Sequence, residues 1–347
     1  MANAKLLLSD LASSIDCVPS RYVRPVNDRP NLDEVQSSLD GSIPLIDLQD
    51  LHGPSRSHVI KQIAEACQID GFFRSVIHGM LSITKEFFPF TGSERLKNYS
   101  DDPLKTMRLS TSFNVKTEQV SNWRDFLRLY CYPLEDYIQG MALQPSIFQK
   151  LWPEYCKEAR KLALLLLEAI SESLGLERNH IDKALGKAQP ADGPQLLPTL
   201  SSTRADVLKD GKWVAIHPIP NTFIVNIGDQ IQVLSNDCYK SAVHRAVVNC
   251  QKERISIPTF YCPSPDAVIG PAPGLVDHGH PALYRKFTYS EYFGNSGTGA
   301  LLLNPAWTCS RRSHFICSLG VIGNKNNNKL NKFDRFLHEI VVYEALI

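Results

Sequence analysis

The sequence lacks the features that distinguish membrane, nucleic-acid-binding and disulfide-stabilised proteins. No apolar run approaches the roughly 20 residues that a membrane-spanning helix requires, and Leu6–Leu8 form too short an apolar core for a secretory signal. With 37 Lys and Arg against 36 Asp and Glu, no charge excess attracts nucleic acid or an anionic membrane. The nine cysteines show no CxxC spacing, which fits free thiols in a reducing compartment. We therefore expect a cytoplasmic protein that binds neither nucleic acid nor a membrane.

The first half of the chain is predicted to be rich in helices. Residues 1–42 are polar and contain several prolines, so they predict an extended lead-in before a first structured region over residues 43–186. That region opens with Ile43–Leu48, a short apolar run that suits an edge strand. Helices are predicted where apolar residues recur at helical spacing: His58–Gln68, Tyr155–Leu174 and Asn179–Leu185, the last with Asn179 as its N-cap.

Residues 211–293 predict a series of short strands instead. Turn-forming pairs such as Asp210-Gly211 and Asn236-Asp237 punctuate this region. Strands at such spacing are typical of an antiparallel sandwich or barrel. Together, the helix-rich first half and the β-rich second half predict the α+β class. The predicted strands are Trp213–Ile216, Thr222–Ile227, Gln230–Leu234, Ala242–Val248 and Ile255–Phe260.

Two segments lack such patterns. Residues 187–210 contain three prolines and show no strand period before Arg204. Residues 294–347 combine Gly-, Arg- and Asn-rich stretches with a short amphipathic piece near Phe333–Ala345. We expect this tail to be low in order and poorly packed.

Three residues of the β-rich half have side chains suited to holding a keto acid at a metal. Arg254 and Ser256 are two apart, so on a strand they share one face, where a guanidinium fork and a hydroxyl can bind a carboxylate. His244 lies in a neighbouring predicted strand, and an imidazole beside such a pocket suggests a metal that chelates the keto acid. On these residues alone, a structural histidine and an unrelated Arg-x-Ser pair would be the commoner interpretation.

Longer motifs resemble the plant iron(II)/2-oxoglutarate-dependent oxygenases. The succession NIGDQ, SNDCYKSAVHRAV and ERISIPTFYCP is similar to the C-terminal half of that family, and IPLIDL and ACQIDGFF to its first half. The segments RLSTSFNV and NWRDFLRLYCYP resemble the downy-mildew-resistance subgroup, whose members hydroxylate salicylic acid or act as flavone synthases. The resemblance covers roughly residues 20–293.

This resemblance implies a double-stranded β-helix, or jelly roll, that holds iron(II) through two histidines and one aspartate, with 2-oxoglutarate as co-substrate, O2 as oxidant and ascorbate in support. His244 matches one iron-binding histidine, whereas Arg254 and Ser256 match the pair that holds 2-oxoglutarate. Phe126 and Arg128 match the substrate wall. The implied activity is hydroxylation of a small, salicylate-like phenolic or oxidation of a flavonoid by a monomer, in plant specialised or hormone metabolism.

The chain departs from the family where a His-x-Asp motif should supply two iron ligands. Residues 186–210 contain no histidine, and the aspartates Asp192, Asp206 and Asp210 therefore have no histidine partner there. The segment is also too short and proline-rich to supply the strands that the family has at this place. The sequence thus predicts a jelly roll that is incomplete and an oxygenase whose activity is impaired. The alternative is a catalytically inactive relative or splice variant that binds a small molecule or a partner.

Two other clusters contain ligand-type residues. His180-Ile-Asp182 is a His-x-Asp triplet, but it falls in a predicted helix, where side chains two apart point about 200° away from each other. Asp277, His278 and His280 fall in a Pro/Gly-rich stretch that predicts a solvated loop. Neither cluster is predicted to bind metal.

Overall fold

The computed structural model describes residues 15, 18–23, 43–76, 99–102, 105, 107–111, 125–130, 132–135, 146–186, 202–217, 219, 222–248, 255–294 and 340–346. Within them, the helices are α1 (Arg56–Ile69), α2 (Ser146–Ser173), α3 (His180–Leu185), α4 (Asp229–Leu234) and α5 (Tyr289–Gly294), with short 3-10 turns at Ser20–Tyr22, Leu48–His52 and Pro273–Leu275. None of these helices is long and apolar enough to cross a membrane.

The described strands form one five-stranded sheet, one three-stranded sheet and two two-stranded ones. In chain order they are β1 (Leu45–Asp47), β2 (Phe72–Val76), β3 (Arg108–Ser110), β4 (Phe126–Arg128), β5 (Ser202–Lys209), β6 (Lys212–Ile216), β7 (Thr222–Ile227), β8 (His244–Val248), β9 (Ile255–Tyr261), β10 (Val268–Ile269), β11 (Phe287–Thr288) and β12 (Ile340–Leu346).

The five-stranded sheet has the order β1-β2-β7-β12-β9. Strand β1 lies at one edge, as the apolar run Ile43–Leu48 predicts. It runs parallel to β2, and every other pairing in this sheet is antiparallel. All six residues of β7 are buried, so both faces of this strand are covered. The sheet therefore runs through the interior of the protein.

The three-stranded sheet has the order β6-β5-β8 and carries the predicted metal ligand. Strands β5 and β6 form a hairpin closed by Asp210 and Gly211, whose φ values of 49° and 77° suit a tight hairpin turn. Strand β8 pairs with β5 on the other side, so that His244 lies opposite Val207. The turn predicted at Asp210-Gly211 is thereby confirmed.

The long helix α2 packs on α1 and α3 and supplies much of the apolar core. Its inward side chains Leu166, Leu167 and Ile170 are completely buried, as are Ile63 and Cys67 of α1. The spacing of these residues is that of one helical face, which is why the sequence pattern predicts both helices. Helix α2 begins at Ser146, nine residues before the predicted start.

Besides shifted element boundaries, the structure differs from the sequence prediction in three places. The predicted strand Gln230–Leu234 is wrong, because these residues lie in helix α4, which follows Gly228 and buries Ile231 and Leu234. A short apolar run suits a buried helix and a buried strand equally, so its periodicity cannot separate them. The segment 187–210 does supply a strand, since β5 begins at Ser202 and gains its order by pairing on both sides.

The third difference concerns the tail. Residues 340–346, expected to be poorly packed, form β12 in the interior of the five-stranded sheet. The rest of the tail, residues 295–339, lies outside the described residues, as do the lead-in for most of its length and residues 187–200.

Candidate functional site

His244 is the first residue of β8 and is positioned by a close approach of two chain segments. The stretch that precedes it passes over Gly71, where an added Cβ would lie 2.3 Å from the carbonyl oxygen of Lys240 and 3.1 Å from Ala242 Cβ. Gly71 has a φ of 64°, which glycine adopts without strain. The Gly71 carbonyl also accepts a hydrogen bond from Ile227 N, at 2.8 Å. The end of β7 and the start of β8 are thus brought together at this glycine.

The contacts of the His244 ring select one tautomer. Its Nδ1 lies 3.2 Å from the carbonyl oxygen of Ala242, which can only accept, so Nδ1 carries the proton. Its Nε2 lies 3.4 Å from Nδ2 of Asn226, and the Phe72 ring meets the imidazole edge-on at a centroid distance of 5.2 Å. With Nδ1 protonated, Nε2 carries the lone pair and accepts from the Asn226 amide, so a metal could bind this ring only at Nε2 and in place of that amide.

The electrostatic surroundings favour the neutral imidazole. Desolvation lowers the pKa of His244, and the hydrogen bond to Ala242 and the charge of Asp229 oppose this effect in part. Part of the residue remains open to solvent. A neutral ring is the form in which histidine binds metals.

The described residues around His244 do not complete an iron site. Asp206 is fully buried on β5, but it lies opposite Arg245, and its neighbour Val207 lies opposite His244. Because successive side chains of a strand point to opposite faces, the carboxylate of Asp206 and the imidazole of His244 lie on different faces of this sheet. In the part of the chain that the structure describes, no three His, Cys, Asp or Glu side chains come close enough to hold a metal ion. These residues therefore do not fit an iron(II) ion held by three protein ligands.

The other two clusters adopt the predicted local structures. His180 and Asp182 lie on α3, and Oδ1 of Asp182 accepts a hydrogen bond from the hydroxyl of Tyr261 at 3.4 Å. In the exposed loop, Oδ1 of Asp277 accepts hydrogen bonds from the backbone N–H groups of Gly279 and His280, both at 2.7 Å. These bonds, the first of them from His280, lower the pKa of Asp277. Its carboxylate thus closes a turn.

The structure places only part of the predicted 2-oxoglutarate pair. Arg254 lies outside the described residues, and Ser256 lies in β9, where its backbone is paired with Ala345 of β12. The assignment of Arg254 and Ser256 to a carboxylate remains a prediction.

The predicted substrate residues Phe126 and Arg128 lie in the two-stranded sheet of β3 and β4. Both are almost completely buried, at 0% and 3% exposure, and as residues two apart on a strand they share one face. The guanidinium of Arg128 lies 5.6 Å from the centre of the Tyr130 ring and donates to the carbonyl oxygen of Lys105 at 2.8 Å. Their place in the substrate wall stays a prediction.

Arg108 is a residue of this sheet that the sequence reasoning missed. It lies directly opposite Arg128, is fully buried, and places its guanidinium 5.2 Å from the centre of the Phe126 ring. Desolvation, followed by the charge of Arg128, lowers the pKa of Arg108, and the nearby Asp101 acts against this. Two buried guanidinium groups thus lie on one face of this sheet, with the carboxylates of Asp101 and Asp102 close enough to act on Arg108. The RLSTSFNV motif contains Arg108, so its location in a recognised motif was the available signal.

Comparison with known protein families and relatives supports the resemblance. Residues 177–263 match the family described as the 2OG-Fe(II) oxygenase superfamily, and residues 43–155 match the family described as the non-haem dioxygenase in morphine synthesis N-terminal. Protein DMR6-LIKE OXYGENASE 2 of Arabidopsis thaliana is 52% identical over 327 residues, with 84% of this chain and 94% of the relative covered. Flavanone 3-dioxygenase 2 of Oryza sativa subsp. japonica is 42% identical, with 80% and 90% covered.

A solved structure shows the same overall arrangement. The crystal structure of JOX2 in complex with 2OG, Fe and JA superposes with a TM-score of 0.69 at 28% identity, and covers 84% of this chain and 93% of that one. Because 84% of this chain is covered, the similarity includes both its helix-rich half and its β-rich half.

The alignment lengths show that this chain is shorter than its relative within the matched region. In the match to the Arabidopsis relative, 84% of this chain is about 291 residues, whereas the alignment extends over 327 positions. About 36 aligned positions of the relative therefore have no counterpart here.

Proposed function

We propose that this chain, which belongs to the 2OG-Fe(II) oxygenase superfamily, derives from enzymes that oxidise a small phenolic or flavonoid, and that its own turnover is impaired. Iron(II) and 2-oxoglutarate are the cofactor and co-substrate of this superfamily. The observation that carries the proposal is that His244 has a neutral imidazole, while no group of three His, Cys, Asp or Glu side chains among the described residues is placed to hold a metal ion. We also propose that the protein is a cytoplasmic monomer.

The substrate class is supported by relatives and by the β3–β4 sheet. Two of the similar proteins are Flavanone 3-dioxygenase 2 and Protein DOWNY MILDEW RESISTANCE 6, each 42% identical to this chain. Phe126 offers an aromatic ring, and Arg108 and Arg128 offer guanidinium groups on the same face. A flat ring with an acidic substituent, as in salicylate, has the apolar face and the negative charge that these side chains complement.

The impairment is supported by two independent observations. The segment before β5 contains no histidine, and about 36 positions of the Arabidopsis relative lack a counterpart in this chain. A single imidazole leaves a ferrous ion weakly held, because affinity depends on the number and geometry of the ligands.

The first experiment measures turnover. The purified full-length chain is supplied with iron(II), 2-oxoglutarate, ascorbate and either salicylate or a flavanone, and succinate release is compared with that of the Arabidopsis relative that is 52% identical. We expect a rate lower by about 100-fold or more, because changes to the outer-shell partners of metal ligands alone already cost about 10–100-fold.

Two variants control this comparison. His244→Ala removes the proposed ligand, and His180→Ala removes an imidazole on α3 that is not assigned to a metal. If the proposal holds, neither variant changes the residual rate. Succinate release that is abolished by His244→Ala and kept by His180→Ala would contradict the impairment and identify a working iron site.

A binding measurement separates the impaired enzyme from a non-catalytic binder. Calorimetry with 2-oxoglutarate, and separately with salicylate, tests whether the pocket persists without turnover. Binding of salicylate that weakens at least about tenfold in Arg128→Ala supports a retained substrate pocket, since a buried charge-assisted contact typically contributes 1.5–3 kcal/mol. If neither compound binds detectably, the alternative of a non-catalytic protein that binds these small molecules is excluded as well.

A further inference from the structure

Strand β12 occupies the interior of the five-stranded sheet although it comes from the end of the chain. It is antiparallel to β9 along all of Ile340–Leu346 and antiparallel to β7 along Ile340–Tyr343. Forty-five residues separate it from the end of α5 at Gly294. Neither pairing is therefore a hairpin, and β12 lies in the sheet as a tethered segment.

In the described part of the sheet, β12 is the connection between β7 and β9. The strand order places β7 on one side of β12 and β9 on the other. Strand β7 is buried over its whole length, and Thr259 and Phe260 of β9 are 8% and 6% exposed. Backbone N–H and C=O groups at such depth need partners, and β12 supplies them on both sides.

The sequence of β12 suits this location. Five of its seven residues, Ile340, Val341, Val342, Tyr343 and Leu346, are β-branched, aromatic or aliphatic. Its charged residue, Glu344, comes directly after the last residue that is paired with β7. The doubly paired part of the strand is thus its apolar part.

The register also connects the two halves of the candidate site. Val341 lies opposite Asn226, whose amide contacts His244 Nε2, and it also lies opposite Phe260. Four positions along, Ala345 lies opposite Ser256. Strand β12 therefore connects β9, which carries Ser256, to β7, which carries Asn226.

We infer that the space between β7 and β9 is a binding site for one extended, apolar β-strand, and that residues 340–346 of this chain are its occupant. The C-terminal strand then decides whether β9, with Ser256, joins the sheet next to Asn226. This inference concerns the assembly of the sheet and holds whether or not the protein oxidises a substrate.

Disulfide trapping in the full-length chain tests the register. Val342 lies opposite both Thr259 and Val225, so V342C should form a disulfide with T259C in one double variant and with V225C in another. The matched control pairs V342C with I255C, because Ile255 lies opposite Leu346, four residues further along β12 and about 13 Å away. Peptide mapping by mass spectrometry, which distinguishes these bonds from those of the nine native cysteines, should give at least tenfold more of the in-register bonds.

Equal yields in the control and the test pairs would overturn the inference. Disulfides that join two chains in place of one would also overturn it, because the occupant would then be a second copy.

Hydrogen–deuterium exchange on full-length V342P tests occupancy without a cross-link. A proline inside the strand removes a ladder donor and disturbs its pairing. We expect the amides of β7 and β9 to exchange at least tenfold faster, while those of α2 are unchanged. An excess of the peptide IVVYEALI should restore the protection, and a scrambled peptide of the same composition should not. Unchanged exchange in V342P, or a failure of the native peptide to restore protection, would contradict a strand-binding site.

Discussion

The helical layer of α1, α2 and α3 and the five-stranded sheet are held together by different kinds of contact. The main-chain hydrogen bonds of α1, α2 and α3 are formed within each helix, and the helices contact one another through side chains. For example, Ser171 Oγ on α2 accepts a hydrogen bond from the backbone N–H of Ile181 on α3, at 3.3 Å. In the sheet, the ladders join segments that lie as far apart in the chain as Phe72–Val76 and Thr222–Ile227. The helices are thus specified by nearby residues, whereas the sheet depends on register between distant ones.

This difference bears on function because the candidate site belongs to the sheets. His244 begins β8 and contacts Asn226 of β7, and Ser256 is in β9. A change in chain length between the strands therefore reaches the site directly, while the helical layer keeps its own contacts.

The largest expected effect comes from adding a methyl group where the sheets meet. Gly71→Ala places a Cβ 2.3 Å from the carbonyl oxygen of Lys240 at a φ of 64°. We expect the free energy of unfolding to fall by roughly 2–5 kcal/mol, from left-handed strain of about 1–2 and overpacking of about 1–3 kcal/mol. Chemical denaturation measures it.

Gly175→Ala is the matched control in the helical layer. Gly175 follows α2 with a φ of 72°, and nothing lies within 4 Å of an added Cβ. It should lose only about 1 kcal/mol, the cost of the backbone conformation. Equal losses in the two variants would show that the approach of Lys240 to Gly71 does not constrain the sheet.

An intermediate effect is expected where the helical layer contacts the sheet. The hydroxyls of Tyr155 on α2 and Thr259 on β9 lie 2.6 Å apart, and both residues are buried. Tyr155→Phe should lower the free energy of unfolding by about 1–2 kcal/mol, because the hydrogen bond is lost while Thr259 stays buried. Thermal melts compare it with Tyr132→Phe, in which the replaced hydroxyl belongs to a residue that is 38% exposed. An equally small change in the free energy of unfolding of both variants would mean that the bond between Tyr155 and Thr259 does not couple the helical layer to the sheet.

The smallest effect is a pH dependence within the helical layer. The hydrogen bond from Arg56 lowers the pKa of Glu172 below its ordinary value of 4.5. The stabilisation is therefore present above that value and is lost as the pH falls through the lowered pKa. We expect Glu172→Gln to lose about 1 kcal/mol or less at pH 7, since both side chains are 20% exposed, and the difference from the unmodified chain to shrink as the pH is lowered below 4.5.

Glu158→Gln provides the comparison for this pair. Glu158 contacts Lys161 on the same helix, but its side chain is 41% exposed and that of Lys161 is 72% exposed. At each pH between 3 and 7, the melting temperature of this variant should equal that of the unmodified chain. A pH-independent difference between Glu172→Gln and the unmodified chain would rule out the ionisation of Glu172 as its cause.

Much of the fold could be predicted because local patterns agree with the structure. The apolar spacing in α1 and the core of α2 predicts both helices, and Thr222–Ile227 is a strand with the predicted bounds. Helix α4 was missed because its five apolar and amide residues are too few to show a period. Strand β5 was missed in part because Ser202–Arg204 gains its order from β8, which lies 40 residues away in the chain.

The sequence by itself determined the family, the helices α1, α2 and α3, the tight turns and the absence of a histidine from residues 186–210, because each depends on residue identity or on short-range spacing. The tertiary structure decided which side chains share a face and which strands are neighbours. It turned Asp206 away from His244 and brought Arg108 opposite Arg128. It also inserted the C-terminal strand between β7 and β9. These outcomes depend on register between remote segments, which only the packed sheet defines.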